Sequence, residues 1–170
     1  MATQGSLITT IQTDSSNPNS SIGPANTLTV TESGLNADGV GFDLVLTVVG
    51  SGDLNLATTG TGVVGGSSNL LNDGEFLTYS LAVQNEVGGT VVFDGFTALD
   101  FNSFANTPDS AVLSLDNSLA TAGDNFATIT TDPGTIPGLP TTFTLISVDD
   151  MGTSSFRVDD ISAQFTGTVA

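Results

Sequence analysis

Two acidic stretches carry the residues with the clearest chemistry in this chain. One is the turn-like run Asn72-Asp73-Gly74-Glu75; the other is the aspartate pair Asp159–Asp160 inside "FRVDDI", Phe156–Ile161. Calcium takes several oxygen ligands, and carboxylates delivered from a turn and from a break in a strand can adapt to it. Gly74 lets the backbone reverse, and Glu75 opens the strand that follows. Asp73, Glu75, Asp159 and Asp160 are therefore the expected metal ligands, with calcium as the expected, structural ion. The full EF-hand loop pattern is absent. An ordinary Asp-Gly turn beside a solvated aspartate pair is the other reading of the same spacing.

Arg157 stands two positions before the pair and is the only cationic side chain among 18 acids. Side chains alternate along a strand, so Arg157 and Asp159 share a face and an ion pair between them is the preferred reading. The alternative is a bidentate anchor for a carboxylate or a glycan hydroxyl.

These groups must be positioned by strands. Apolar residues recur with period two, punctuated by turn residues, and no sustained helical period is present. "SLITTIQT" reads as a first strand, and eleven loop residues, Asp14 to Pro24, follow it. "TLTVTE", "VGFDLVLTVVG", "FLTYSLAVQ", "TVVFDGFTALDF", "AVLSLD", "FATITT" and "TTFTLISV" come next. In the second of these, Phe42, Leu44, Leu46 and Val48 share one face. Leu77, Tyr79, Leu81 and Val83 alternate inward in the third. A Gly-rich stretch, "TTGTGVVGGSSN", joins those two, and "ANTPDS", "NSLATAGDN" and "DPGTIPGLP" separate later strands. About ten strands at this spacing predict an all-β fold, an antiparallel β-sandwich of jelly-roll type. An immunoglobulin-type Greek key is the alternative. The N-terminal strand and loop, 1–24, precede the sandwich domain proper, 25–170.

The last strand contains an irregularity. Phe156 and Val158 occupy even positions, whereas Ile161, Ala163 and Phe165 occupy odd ones. A one-residue slip turns every later side chain to the opposite face unless a bulge absorbs it. A bulge or bend is therefore expected at Asp159–Asp160.

Composition sets the partners. The formal net charge is −17, with no Lys, so nucleic acid and anionic membranes are excluded for want of basic clusters. Cations, neutral glycans and other protein are left. No apolar run is long enough to cross a bilayer. The absence of Cys is compatible with an oxidising compartment without demanding one. The start lacks a signal-peptide pattern, and Met1 reads as an expression start on a mature secreted chain. Without His, Cys or Lys the commonest catalytic bases and nucleophiles are missing. A glycosidase-type carboxylate pair is formally open, but the acids fall in Gly/Asn/Ser turns. No enzyme is expected.

The ending "SFRVDDISAQF" resembles the terminal strand of jelly-roll carbohydrate-binding modules, where an aromatic–x–(V/I)–D–(D/N)–(I/V) run closes the sandwich. That resemblance implies a structural calcium held by Asp160 and Asp159. "GSSNLLNDGEFLTYSLAV" is similar to segments of bacterial secreted proteins of the PEP-CTERM class, whose sorting signal this chain lacks. The expectation is a secreted, non-catalytic sandwich of a cell surface, extracellular matrix or filament, associating with copies of itself or similar surface proteins. A carbohydrate-binding, lectin-like module is the alternative. Against it, there is no Trp, and the single Tyr falls on a core phase. Self-association is expected through the N-terminal strand, whose long tether would let it dock on its own sandwich or on a neighbour's edge.

Overall fold

The computed structural model describes residues 4–23, 25–64, 70–102, 104, 109–114, 125–130, 134–135, 141–149 and 156–170. Among them there is no helix. The strands are β1 (Gln4–Gln12), β2 (Ser20–Ile22), β3 (Thr27–Ala37), β4 (Val40–Gly50), β5 (Leu54–Ala57), β6 (Gly60–Val63) and β7 (Phe76–Val87), then β8 (Gly89–Asn102), β9 (Asp109–Ser114), β10 (Asn125–Ile129), β11 (Gly134–Thr135), β12 (Thr142–Asp149) and β13 (Arg157–Val169). Of the expected separators, residues 105–108, 117–124, 132–133 and 136–140 lie outside the described residues.

Two antiparallel sheets pack as a sandwich. One runs β11-β8-β13-β6-β5, with β1 beside β13 on the same side as β6; the other runs β10-β9-β12-β7-β4-β3-β2. The chain crosses repeatedly from one sheet to the other, among other places between β7 and β8, β8 and β9, and β12 and β13, the kind of crossing a jelly roll makes. In β4 the alternation is complete: Val40, Phe42, Leu44, Leu46 and Val48 are buried, and the residues between them are partly exposed. Each fully buried side chain of this size contributes roughly 1.5–3 kcal/mol.

Aromatic rings join the sheets. Tyr79 of β7 stacks on Phe143 of β12 at 4.9 Å, and Phe143 meets Phe96 of β8 edge-on at 5.1 Å. Phe96 touches Phe93, Phe93 touches Phe165 of β13, and Phe165 returns to Phe42 of β4. Tyr79 is wholly buried, as its phase in the sequence requires, and its hydroxyl has no hydrogen-bond partner. Burial alone pushes that phenol far above its ordinary value.

Segments expected as connections carry strands, β11 within "DPGTIPGLP" among them. The Gly-rich stretch contains β6, which forms a hairpin with β5 and meets β13 at Val158. Gly signals strand weakly, but Gly60 has a φ of +112°, and a Cβ there would lie 2.5 Å from the Val158 carbonyl oxygen. Only a residue without a side chain lets the hairpin lie this close. The long N-terminal loop is likewise fastened, because β2 pairs with β3 and the Asp14 carboxylate accepts from the Ser16 and Asn17 amides. In this chain β1 lies on its own β13, from Gln4 opposite Thr168 to Gln12 opposite Asp160.

Candidate metal centre

The bulge expected in the last strand is present. Val158 faces Phe101 and Asp160 faces Asp100, and the register shifts between them, so Asp159 has no opposite number on β8. Upstream of the shift Phe156 and Val158 point to the core; downstream Ile161, Ala163 and Phe165 do. The extra residue absorbs the change of phase.

The bulge is held from three sides. Thr13, just past β1, donates its backbone N–H to the Asp159 carbonyl at 2.9 Å. Its hydroxyl lies 3.0 and 3.1 Å from the Val158 and Asp159 carbonyls. Thr61 of β6 donates its hydroxyl to the Thr13 carbonyl. Arg157 is buried beneath the β5–β6 hairpin, its Nη1 donating to the Asn55 and Gly60 carbonyls, both at 3.3 Å. Burial lowers the guanidinium pKa from its ordinary value. The fixed direction of these donors gives Arg157 a role that its spacing to Asp159 did not disclose: it ties the hairpin to the strand that bears the bulge.

Asp100, Asp159 and Asp160 come together here. One carboxylate oxygen of each lies within 4.8 Å of the other two, and all three residues are partly buried. Two oxygens each about 2.4 Å from one ion are separated by up to about 4.8 Å, so the span fits calcium-length bonds. The donors are oxygen only, in a chain without His or Cys, which favours a hard cation over zinc or copper. This cluster of three acids can bind a metal ion.

Asp159 and Asp160 are two of the four residues expected from the sequence. The third member, Asp100, is supplied by the neighbouring strand. Its signal was a carboxylate within an otherwise apolar strand pattern, "ALDF", a feature shared with Asp43 in "FDL". Asp73 and Glu75 are not members of the cluster. Glu75 Oε2 accepts from the Asn72 backbone and side-chain amides at 2.8 and 3.1 Å, closing its own turn. Gly74, with a φ of +78°, donates to the Ser147 carbonyl, so this turn is anchored to β12. Asp73 is exposed on it.

Comparison with protein-family models, curated proteins and solved structures found no match to the chain.

Proposed function

We propose that this chain is a non-catalytic structural β-sandwich of a cell surface, extracellular matrix or filament, and that Asp100, Asp159 and Asp160 hold a calcium ion joining β8 to β13. The observation that carries this reading is the cluster itself, three carboxylates gathered at a bulge that other side chains hold in place. In a sequence of 18 acids and one cationic side chain, a bound cation is a fitting counter-charge for such a cluster. The likeness of the last strand to secreted jelly-roll modules, and of the Asn72–Glu75 region to PEP-CTERM-class segments, supports a secreted setting. The lack of His, Cys and Lys supports a role without catalysis.

The partner in this reading is another copy or a similar surface protein. Among the described residues β1 pairs on one side only, and its sequence, "QGSLITTIQ", carries neither a charge nor a proline. Soluble proteins commonly guard an edge with such residues. Ile8 is 63 % exposed on that strand. Self-repulsion at a net charge of −17 means that association requires calcium or salt to screen it.

Melting curves and light scattering in calcium and in chelator test both parts. Calcium about tenfold above a constant of 10⁻⁴–10⁻³ M should add roughly 1.4 kcal/mol of stability. Assembly should grow with calcium or salt and fail in Ile8→Asp, which leaves melting unchanged. Identical melting in calcium and chelator would remove the cation, and a monomer under every condition would remove the assembly.

A further inference from the structure

The open edge of β1 carries a self-complementary pattern. Thr13, just past the strand, bonds through its N–H to the Asp159 carbonyl, whereas the Gln12 carbonyl points the other way and accepts from Asn17. Hydrogen-bonding direction alternates along a strand. Leu7, Thr9 and Ile11 therefore turn their main-chain groups to β13, while Ser6, Ile8 and Thr10 turn theirs to the open edge. The side chains of those last three residues are exposed as well, Ile8 the most apolar of them. We propose that two copies join edge to edge through β1, antiparallel, about a two-fold axis that passes through the paired Ile8 residues. The inference rests on the reading that copies of this chain associate, and it names the geometry by which they do.

Hydrogen bonding and side-chain matching fix the register. An incoming antiparallel strand must present its own open-edge groups, so neighbouring registers differ by a shift of two residues. Centred on Ile8, Ser6 faces Thr10 of the second copy, Ile8 faces Ile8, and Thr10 faces Ser6. Each of these pairs exchanges two main-chain hydrogen bonds. A shift one way sets Ile8 against Thr10 and calls on the Gln12 carbonyl, which the Asn17 side chain already engages at 3.0 Å. A shift the other way sets Ile8 against Ser6. Either shift separates the two Ile8 side chains, whose cross-strand contact is the apolar gain at the joint. On the inner face Leu7, partly buried against the core, faces Thr9 of the second copy.

Charge selects the occupant. A charged partner strand finds no counter-charge along Ser6–Thr10, so the fitting strand is an uncharged one of matching pattern, the β1 of a second copy. Carboxylates flank the span instead: the Asp38 side chain lies over Gly5, and Asp160 is opposite Gln12. The two-fold sets the Gly5 end of one copy beside the Ile11 end of the other, so carboxylates of both copies draw together at each end of the joint. Salt screens their repulsion beyond about 8 Å at physiological ionic strength, and a cation on Asp160 reduces it further. Such a contact is isologous and closes on itself, giving a dimer with one continuous sheet.

The chain contains no Cys, so single cysteines report the register without background. Ile8→Cys, Ser6→Cys and Thr10→Cys are oxidised in calcium-containing buffer at physiological salt and read on non-reducing gels, beside light scattering of the wild type over a concentration series. The expected result is self-association of the wild type, disulfide-linked dimers of Ile8→Cys alone, and links between Ser6→Cys and Thr10→Cys only when the two are mixed. Facing residues have Cα atoms about 5.5 Å apart, within disulfide reach, whereas Ser6 lies about 13 Å along the strand from Ser6 of the second copy. Ser6→Cys linking to itself would overturn the register. A wild type that assembles while Ile8→Cys stays unlinked would overturn the two-fold joint and leave association to another edge. A wild type that stays monomeric under every condition would overturn both the joint and the reading of self-association.

Discussion

Replacing Asp160 by Asn should make the protein more stable in chelator and less responsive to calcium. Three carboxylates with oxygens within 4.8 Å of one another repel when no cation is bound. At that separation one pair costs about 0.9 kcal/mol in a water-like dielectric and about 3.5 kcal/mol at an effective dielectric constant near 20. The residues are partly exposed, so the lower half of that range applies. Neutralising Asp160 removes two of the three pairs, a gain of roughly 2–4 kcal/mol without metal from the repulsion alone. In a chain of this size each kcal/mol shifts the melting midpoint by about 2–4 °C. With calcium the order inverts, because the variant loses a charged ligand while the wild type gains roughly 1.4 kcal/mol at tenfold excess over its constant. Differential scanning calorimetry of both proteins, in chelator and across a calcium series, reads the crossing directly. A variant that melts below wild type in chelator, yet keeps the full calcium shift, would refute the reasoning. The carboxylate would then be structural in its own right.

Tyr79→Phe deletes a buried hydroxyl that has no hydrogen-bond partner and leaves the stack on Phe143 intact. It should raise stability by about 1 kcal/mol, and thermal melting checks it. Gly60→Ala puts a methyl group against the Val158 carbonyl at a positive φ, so it should cost on the order of 1–3 kcal/mol and weaken the calcium shift by displacing the bulge. Unchanged melting and unchanged calcium response would mean that the hairpin does not support the bulge. Asp43 accepts from Asn85 at 2.7 Å and from the Gly34 amide at 2.9 Å, which holds its carboxyl below the ordinary value. A depressed folded pKa contributes stability above the unfolded value and loses it as pH falls through the folded one. An NMR titration should place its midpoint below that of an ordinary aspartate and move it upward in Asn85→Ala; a midpoint at the ordinary value would contradict the assignment.

What the sequence disclosed, and what it withheld, follows from the range of each interaction. The face of β4 and the phase of Tyr79 are local consequences of period-two burial, and both could be read directly. The bulge at Asp159 was legible for the same reason, since an alternation that changes phase must be absorbed where it changes. Asp100 was not legible, because its meeting with Asp160 depends on the register of β8 against β13, strands far apart in the chain. The β5–β6 hairpin escaped notice because its strands are set by close packing of Gly60 on β13 rather than by a hydrophobic pattern. The destination of Arg157 depended in turn on that hairpin. Glu75 was grouped with the aspartates from the chemistry of its turn, whereas its carboxylate closes that turn.

A crystal grown in calcium, with anomalous scattering used to locate the ion, tests the central claim most directly. The predicted result is one peak at the β13 bulge, about 2.3–2.6 Å from oxygens of Asp100, Asp159 and Asp160, with the remaining positions filled by further oxygen ligands. A bulge with no peak at saturating calcium, or an ion seated on other residues alone, would contradict it.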